Sequence, residues 1–417
     1  MRKESHLAVL ALLAPATLAM AGAASAEPVK VALIETLSGP SSLTGKMFQT
    51  AVKFALQKLA DEKAWPDGVQ LLEYDNQSGP SEAADKLRTA INDGAKIVVQ
   101  GASSAIGGQL TADIQKHNAR NPGKEVIFLN VGGQAMEFTG SKCHFYHFRW
   151  NTYGESRFRA ELAAALETGA LGKKVYFIGQ NYSWGQDNQK FVRDYAKQYG
   201  YTIVGDVLHD VNKIQDFAPY VAKIKDAGAD TVISSNWGND LLLLVKAMAD
   251  SGLKAPLLSS ALDQPGNIAA AGDAALGDLT VQHFFPDANG EKSVKFSEEY
   301  KAKTGVYPYN VQADAVNGIW GLGEALKLLN GKPGDPVSAE KIALAMEKVT
   351  VESSMGPVTI RQEDHQAITP VAVSVVSKDA KFKFDNTDKG FKTIKLLSGR
   401  EAIGPVQSDC NMERPKS

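Results

Sequence analysis

The sequence predicts an α/β protein with two doubly wound lobes, each a parallel sheet covered by helices on both faces. Short apolar runs rich in β-branched residues recur along the chain, and segments with helical spacing of apolar residues follow most of them. Unbroken apolar runs of this kind are typical of strands buried on both faces of a parallel sheet. The length of 417 residues, with 44% hydrophobic and 22% charged residues, fits a folded chain of two domains.

The strand-like runs follow one another in a regular order. They are VKVALIETL, VQLLEYDN, AKIVVQG, EVIFLNVG, KVYFIGQ, TIVGDVL, DTVISSN and APLLSSA. A short loop and a helix-like segment, such as PSEAADKLRTAINDG or GQDNQKFVRDYAKQYG, follow each run except the last two. The series breaks near FRWNTYGESRFRAE, where a long helix begins a second series. We therefore assign residues 27–149 to lobe 1 and residues 150–285 to lobe 2.

The last third of the chain has a different pattern. The segment SVKFSEEYKAKTGVYPYNVQADAVNGIWGLGEALKLL is mainly helical, and ITPVAVSVVSK and GFKTIKLL are predicted as antiparallel strands at a sheet edge. We expect residues 286–350 to return to lobe 1, residues 351–400 to complete lobe 2, and residues 401–417 to return to lobe 1 as a tail.

The N-terminus has the pattern of a secretory signal peptide. Arg2 and Lys3 precede an apolar segment from Leu7 to Met20, and the small residues ASA precede Glu27. A membrane anchor is the alternative, but the apolar segment is short for a span and contains Pro15. We therefore expect export to the periplasm with cleavage after Ala26.

Charge and cysteine content narrow the functional classes. The formal net charge is -2 and no block of five basic residues occurs, so neither nucleic acid nor an anionic membrane is expected as a partner. The two cysteines, Cys143 and Cys410, are expected to form one disulfide in an oxidising compartment; two free buried thiols are the alternative.

The loop LSGPSSLTGKM, between a strand and a helix, raises the question of phosphate binding. Five residues separate Gly39 from Gly45, and Met47 follows Lys46, so the spacing and the magnesium-binding hydroxyl of a phosphate loop are missing. The motifs H-E-x-x-H, G-x-S-x-G and C-x-x-C are also absent, and GASSAIGG lacks dinucleotide-loop spacing. The sequence predicts no catalytic residue and no cofactor.

Two clusters of titratable residues remain open to interpretation. His144 and His147, in CHFYHF, could belong to a metal site, but their aromatic neighbours favour a packed hinge segment, and we predict no metal. The segment RQEDHQ, residues 361–366, could be an acid–base cluster, although a solvated turn between strands is the favoured interpretation.

Four segments in order carry a resemblance to a known family. They are TLSGPSSLTGKMFQTAVKFALQKLADE, YDNQSGPSEAADKLRTAINDGAKIVVQGASSA, YSWGQDNQKFVRDYAKQYGYTIVGD and DFAPYVAKIKDAGADTVISS. The chain resembles the periplasmic solute-binding proteins of the branched-chain amino acid transporter type, the leucine/isoleucine/valine-binding protein family. The resemblance implies two Rossmann-like lobes joined by three crossings, which we place near residues 148–152, 283–287 and 350–357. It also implies a ligand in the cleft between the lobes and no enzymatic activity.

The resemblance also implies a set of ligand-binding residues. Helix N-termini at the carboxyl ends of strands bind anions, so the GASSA loop is expected to hold a ligand carboxylate. The implied residues are Ser103, Ser104, Gly133, Gln134 and Tyr153, followed by Trp184, Asn236, Trp237 and Asp263 in the second series. Asp263 is shifted from the position where the family's amino acid binders have a Glu that pairs the ligand ammonium. That shift puts an α-amino acid ligand in doubt.

Three functional classes follow, and the first of them, a transport-linked binding protein, leaves its ligand open. The favoured one is a monomeric binding protein that captures a small carboxylate, a branched-chain or other hydrophobic amino acid, and delivers it to the permease of an ABC transporter. A binder of an aromatic acid or amide fits the same pattern. A ligand-binding sensor of the same fold and an enzyme on a similar scaffold are the other classes.

Overall fold

We describe the protein from a computed structural model that places residues 27–415. The predicted signal peptide and its cleavage site therefore lie outside the described residues. Within residues 27–415, no helix is long and apolar enough to cross a membrane.

The first part of the chain alternates strands and helices as predicted. The elements are β1 (Val29–Glu35), α1 (Ser42–Asp61), β2 (Val69–Asp75), α2 (Pro80–Asn92), β3 (Ile97–Gln100), α3 (Ser104–Arg120), β4 (Ile127–Asn130) and β5 (His147–Arg149). The strands form one parallel sheet in the order β2-β1-β3-β4-β5. Helices cover both of its faces, since Val31 and Leu33 pack with α1, whereas Ala32 and Ile34 pack with α2 and α3.

The second part repeats this alternation. Its elements are α4 (Gly154–Thr168), β6 (Lys174–Gln180), α5 (Ser183–Tyr199), β7 (Thr202–His209), α6 (Ala218–Asp226), β8 (Thr231–Ser234), α7 (Gly238–Asp250), β9 (Leu257–Leu258), α8 (Asn267–Ala271) and β10 (Leu279–Gln282). The short strands β5 and β10 were not predicted from the sequence.

The last part contributes to both lobes. Its elements are α9 (Glu291–Thr304), α10 (Asn310–Leu329), α11 (Ala339–Met346), β11 (Thr350–Ser353), β12 (Gly356–Ile360), β13 (Ala367–Ile368), β14 (Val371–Ser377), β15 (Gly390–Leu397) and α12 (Gly399–Ala402). Helix α10 packs along α1 and so belongs to lobe 1. Strands β14 and β15 complete the second sheet, in the order β15-β14-β10-β9-β8-β6-β7, and both pair antiparallel, which confirms the predicted edge.

The structure differs from the sequence interpretation at the third crossing between lobes. Strands β11, β12 and β13 form a separate antiparallel sheet instead of joining lobe 2. The His365 ring stacks on Phe148 of lobe 1, with ring centroids 4.0 Å apart, and its carbonyl accepts the Arg149 N–H at 3.0 Å. The chain therefore enters lobe 2 at residues 369–370, later than the predicted 350–357, because this small sheet packs on lobe 1.

The C-terminal tail runs from lobe 2 back to lobe 1. Helix α12 lies against α4, whereas Gln407 Nε2 donates to Met136 O at 2.8 Å. Cys410 is bonded to Cys143, with the two Cα atoms 5.5 Å apart, which confirms the predicted disulfide. The tail is thus a fourth connection between the lobes, and its end is covalently fixed.

Candidate ligand-binding cleft

A cavity of about 70 Å³ lies between the two lobes, at the carboxyl ends of their parallel strands. This is where open α/β sheets bind ligands. Lobe 1 lines it with Thr44, Phe48, Gly101, Ala102, Ser103, Ser104, Gly132, Gln134, Asn310 and Val311. Lobe 2 lines it with Arg157, Tyr182, Trp184, Trp237, Ser260, Ala261, Gln264 and Gln282.

Several helices begin at this cavity. Ser104 and Asn310 are the first residues of α3 and α10, and Trp184 and Trp237 lie at the starts of α5 and α7. Helix N-termini expose unpaired N–H groups and carry partial positive charge. The cavity is therefore electrostatically suited to an anionic group.

The GASSA loop of lobe 1 presents a hydroxyl group to the cavity. Ser104 Oγ accepts the N–H groups of Gln134 at 3.0 Å and Ala135 at 3.2 Å. Because both bonds use the oxygen as acceptor, the hydroxyl proton remains free to donate to a ligand. Ser103 has a left-handed φ of 84° and caps α3 by accepting the Ala105 N–H at 3.3 Å. A serine with this φ is strained, which is common at binding sites.

Glu35, at the end of β1, holds this loop from behind. Its carboxylate accepts the N–H groups of Gly101 at 2.5 Å, Ala102 at 2.8 Å and Thr36 at 2.9 Å. Burial raises the pKa of Glu35 to about 7, and the three backbone donors oppose this shift. Glu35 thus joins the loops that follow β1 and β3.

Lobe 2 presents aromatic side chains to the cavity. Trp237 Nε1 donates to Tyr182 Oη at 2.6 Å, and Trp184 Nε1 donates to the Ser235 carbonyl at 3.0 Å. These bonds satisfy the polar atoms of the indoles, so the rings are fixed as apolar walls.

Arg157, in the first turn of α4, also lines the cavity, and the sequence interpretation missed it. Its side chain is 1% exposed. Nη2 donates to Ser260 O at 2.7 Å and to Val281 O at 2.6 Å, and Nε donates to Val281 O at 3.2 Å. Nη2 also bonds Gln282 Oε1. Nη1 has no hydrogen-bond partner among residues 27–415.

The structure brings five of the nine predicted ligand-binding residues together at the cavity: Ser103, Ser104, Gln134, Trp184 and Trp237. Sequence reasoning missed the lining residues Tyr182, Gln264 and Gln282 as well as Arg157. Tyr182 lies two residues before Trp184, so an aromatic pair in the YSW segment was the available signal.

The other four predicted residues lie outside the lining, and their contact with a ligand stays a prediction. Gly133 donates its N–H to Asn130 at 2.7 Å, and the Tyr153 ring lies beside the guanidinium of Arg149 at 5.4 Å. Asn236 Oδ1 lies 2.9 Å from His209 Nε2.

Asp263, the fourth of these, lies just behind the cavity wall. Its carboxylate accepts Gln282 Nε2 and, at 3.4 Å, the Asn310 N–H. Burial raises the pKa of Asp263 to about 6, and Arg157 opposes this shift. Gln282 and Asn310, which both line the cavity, therefore cover the carboxylate of Asp263.

The remaining titratable clusters are packed away from the cleft. His144 and His147 are buried, and His144 Nε2 lies 2.9 Å from Thr111 Oγ1. The segment 361–366 is a turn between β12 and β13, as expected, and Gln362 and Glu363 are exposed. Asp364 and His365 are only 2% and 0% exposed, so the expectation of a solvated segment is wrong for these two residues. His365 Nε2 lies 2.7 Å from Glu347 Oε1, and this pair anchors the small sheet on lobe 1. No group of three potential metal ligands occurs within residues 27–415.

A sequence model described as periplasmic binding protein matches residues 28–381. The chain belongs to the periplasmic binding protein family. One member of this family, the Leu/Ile/Val-binding protein homolog 4 of Brucella abortus (strain 2308), is 51% identical over 404 residues, which cover 96% of this chain and 97% of that protein.

Solved structures of the family agree with the two-lobed fold. A leucine-, isoleucine-, valine-, threonine- and alanine-binding protein from Brucella ovis, in a closed conformation, is similar with a TM-score of 0.87 and 50% identity. The similarity covers 94% of this chain and all (100%) of that one. A solute-binding protein of an ABC transporter from R. palustris, in complex with 4-hydroxybenzoate, has a TM-score of 0.75 and 21% identity over 89% of this chain and 97% of its own. At that identity the likeness extends to the fold alone.

Proposed function

We propose that this protein captures a small aliphatic amino acid between its two lobes and delivers it to the permease of an ABC transporter. The observation that carries the proposal is the convergence of helix N-termini and the free Ser104 hydroxyl proton on one small cavity. A carboxylate is the anion that suits this site, because hydroxyl and backbone N–H donors form charge-assisted hydrogen bonds with it.

The size of the cavity supports a small ligand. A volume of about 70 Å³ gives room for roughly five water-sized groups. L-leucine and benzoate are similar in size, so the volume does not separate an aliphatic amino acid from an aromatic acid. The walls include four aromatic rings, on Phe48, Tyr182, Trp184 and Trp237. The aliphatic class is proposed from the names of similar relatives. Two relatives at about half identity bear names that specify leucine, isoleucine and valine.

Closure of the lobes, not chemistry, is the proposed mechanism. A ligand that contacts both lobes favours the closed state by its difference in affinity for the two states. The crossings at residues 150–153, 283–290 and 369–370 then absorb the rotation. The proposal also includes export with cleavage after Ala26 and action as a monomer. It includes neither enzymatic activity nor nucleic acid binding.

A thermal-shift screen on the mature chain tests the ligand class. We expect L-leucine, L-valine and L-alanine to raise the melting temperature, since a ligand that binds only the native state stabilises it by RT ln(1 + [L]/Kd). Benzoate and acetamide are the matched probes for an aromatic acid and an amide. A shift with benzoate and none with the amino acids would replace the proposal with an aromatic-acid binder.

A further inference from the structure

Arg157 is an unusual residue for its position. It is fully buried in the first turn of α4, where the helix already carries partial positive charge, so its own charge is unfavourable there. Removing a guanidinium from water is also costly. Its three hydrogen-bond acceptors, on Val281, Ser260 and Gln282, leave Nη1 without a partner among residues 27–415. Structural stabilisation alone therefore does not account for this arginine.

Asp314, Asp263 and Glu161 favour the charged form of Arg157, but none of them fills the vacant donor position at Nη1. Glu161, one turn further along α4, has its pKa raised to about 8 by burial, so it is largely protonated at neutral pH. Asp263 accepts hydrogen bonds from Gln282 and Asn310, and Asp314 lies 2.8 Å from His283 Nδ1. None of these carboxyl groups is hydrogen-bonded to Nη1. Among those of residues 27–415 that line the cavity, Arg157 is the only charged one.

We propose that Nη1 of Arg157 donates a hydrogen bond to the carboxylate of the bound ligand, from the lobe opposite Ser104. This inference rests on the proposed function and adds the second-lobe contact that selects for a carboxylate. Ser104 belongs to lobe 1 and Arg157 to lobe 2, and both line the same cavity. A carboxylate held by both residues bridges the lobes, so the bond to Arg157 forms only on closure. Neutral amides and alcohols of the same shape lose this charge-assisted bond.

Calorimetry with L-valine and L-valinamide tests the inference, because the two ligands share an ammonium group and side chain and differ at the carboxylate. We expect Arg157→Met to weaken L-valine binding about tenfold to a hundredfold. The affinity for L-valinamide should stay the same or rise, since a cation no longer faces the guanidinium. Arg159→Met, two residues along the same helix at an exposed position, is the matched control and should bind both ligands normally.

The ratio of the two affinities separates ligand contact from a packing defect. Equal losses for L-valine and L-valinamide in Arg157→Met would mean that Arg157 acts only through lobe 2 packing, and would overturn this inference alone. Failure of the wild-type protein to bind any aliphatic amino acid would overturn the proposed function as well.

A crystal structure of the wild-type protein with L-valine keeps the inference testable if Arg157→Met does not fold. Nη1 within hydrogen-bond distance of a carboxylate oxygen would support it. A water molecule at Nη1, with the carboxylate elsewhere, would overturn it.

Discussion

Lobe 1 faces the cleft mainly with backbone and hydroxyl groups and one aromatic ring, Phe48, whereas lobe 2 faces it with three aromatic rings and an arginine beside polar side chains. The strands and helices that support these two surfaces are packed alike. A Cβ atom on Gly45 would lie 1.8 Å from Thr36 O, and one on Gly185 would lie 1.8 Å from Gln180 O. In both lobes a glycine therefore lets the helix approach the end of the preceding strand. The same architecture thus carries two different surfaces, one suited to anchoring an anion and the other to enclosing it.

The strongest test of this contrast concerns Trp184, which we expect to support lobe 2 as well as line the cleft. The indole is 6% exposed and packs against Gly154. Trp184→Ala should lower the free energy of unfolding by roughly 3–5 kcal/mol, since it removes a large buried ring. Urea denaturation measures this. Trp184→Phe retains most of the ring and should cost far less; equal losses would mean that the Nε1 bond to Ser235, not the packing, dominates.

Ser104→Ala should have the next largest effect, on affinity. Loss of a charge-assisted bond to a carboxylate costs roughly 1.5–3 kcal/mol, so L-valine should bind about tenfold to a hundredfold more weakly in calorimetry. Ser103→Ala is the control, because its hydroxyl caps α3 and should affect stability more than binding. If Ser103→Ala, Ser104→Ala and the double variant all bound L-valine with wild-type affinity, the proposal that this loop binds the ligand carboxylate would be wrong.

The variant Asp263→Asn tests whether the carboxylate of Asp263 in lobe 2 also pairs with the ligand ammonium. If it does, the variant should bind L-valine about tenfold more weakly, because a buried cation loses its partner. Binding of 2-oxoisovalerate, which has no ammonium, should not change. An unaltered L-valine affinity would mean that Asp263 does not contact the ligand and serves only to hold Gln282 and Asn310.

The smallest expected effect is an opposite response of the two lobes to pH. In lobe 1, burial lowers the pKa of His144 to about 4 and that of His147 well below its usual range. The unfolded state binds these protons below about pH 6.5 while the folded state does not, so the two histidines destabilise lobe 1 as the pH falls. Glu35, with its raised pKa of about 7, offsets part of this effect.

In lobe 2 the dominant groups are buried carboxyls. Burial raises the pKa of Asp278 and of Glu161 to about 8, so the folded state retains protons that the unfolded state releases above about pH 4. Their contribution to stability therefore increases as the pH falls from 8 towards 4.

Hydrogen exchange at pH 7 and pH 5, corrected for intrinsic rates, measures this difference. We expect α3 to lose protection relative to β10 at the lower pH. Asp278→Asn keeps an acceptor for the Leu257 N–H, which lies 2.8 Å from Asp278 Oδ1, and should reduce the response of lobe 2. If the protection of α3 and of β10 changed in the same direction, the assignment of the pH response to buried histidines in lobe 1 and buried carboxyls in lobe 2 would be contradicted.

The sequence predicted the parts of this molecule that follow from local patterns. Apolar runs located every long strand of both sheets, and the glycine and serine loops located the lobe 1 side of the cleft. The strands β5 (HFR) and β10 (LTVQ) contain no two adjacent apolar residues, so they lack the continuous apolar run that located β3 (IVVQ) and β4 (IFLN).

Arg157 was missed for a different reason. In GESRFRAEL it stands among charged residues on a helix, a pattern typical of a solvated face. Only tertiary packing brings Val281 and Ser260 to its guanidinium, and those residues are more than 100 positions away. The same limit applies to the third crossing, since stacking of His365 on Phe148 fixes the small sheet to lobe 1.

The C-terminal tail sets a mechanical stop on the opening of the cleft. It leaves lobe 2 at Ala402, the end of α12, and Gln407 is already bonded to Met136 of lobe 1. A fully extended chain advances at most about 3.6 Å per residue, so this segment spans no more than roughly 18 Å. When Gln407 releases, the bond between Cys410 and Cys143 still limits the reach. The tail therefore limits how far the two lobes can separate, which keeps the two faces of the cleft at a high effective concentration. Reducing the disulfide should widen the range of open states.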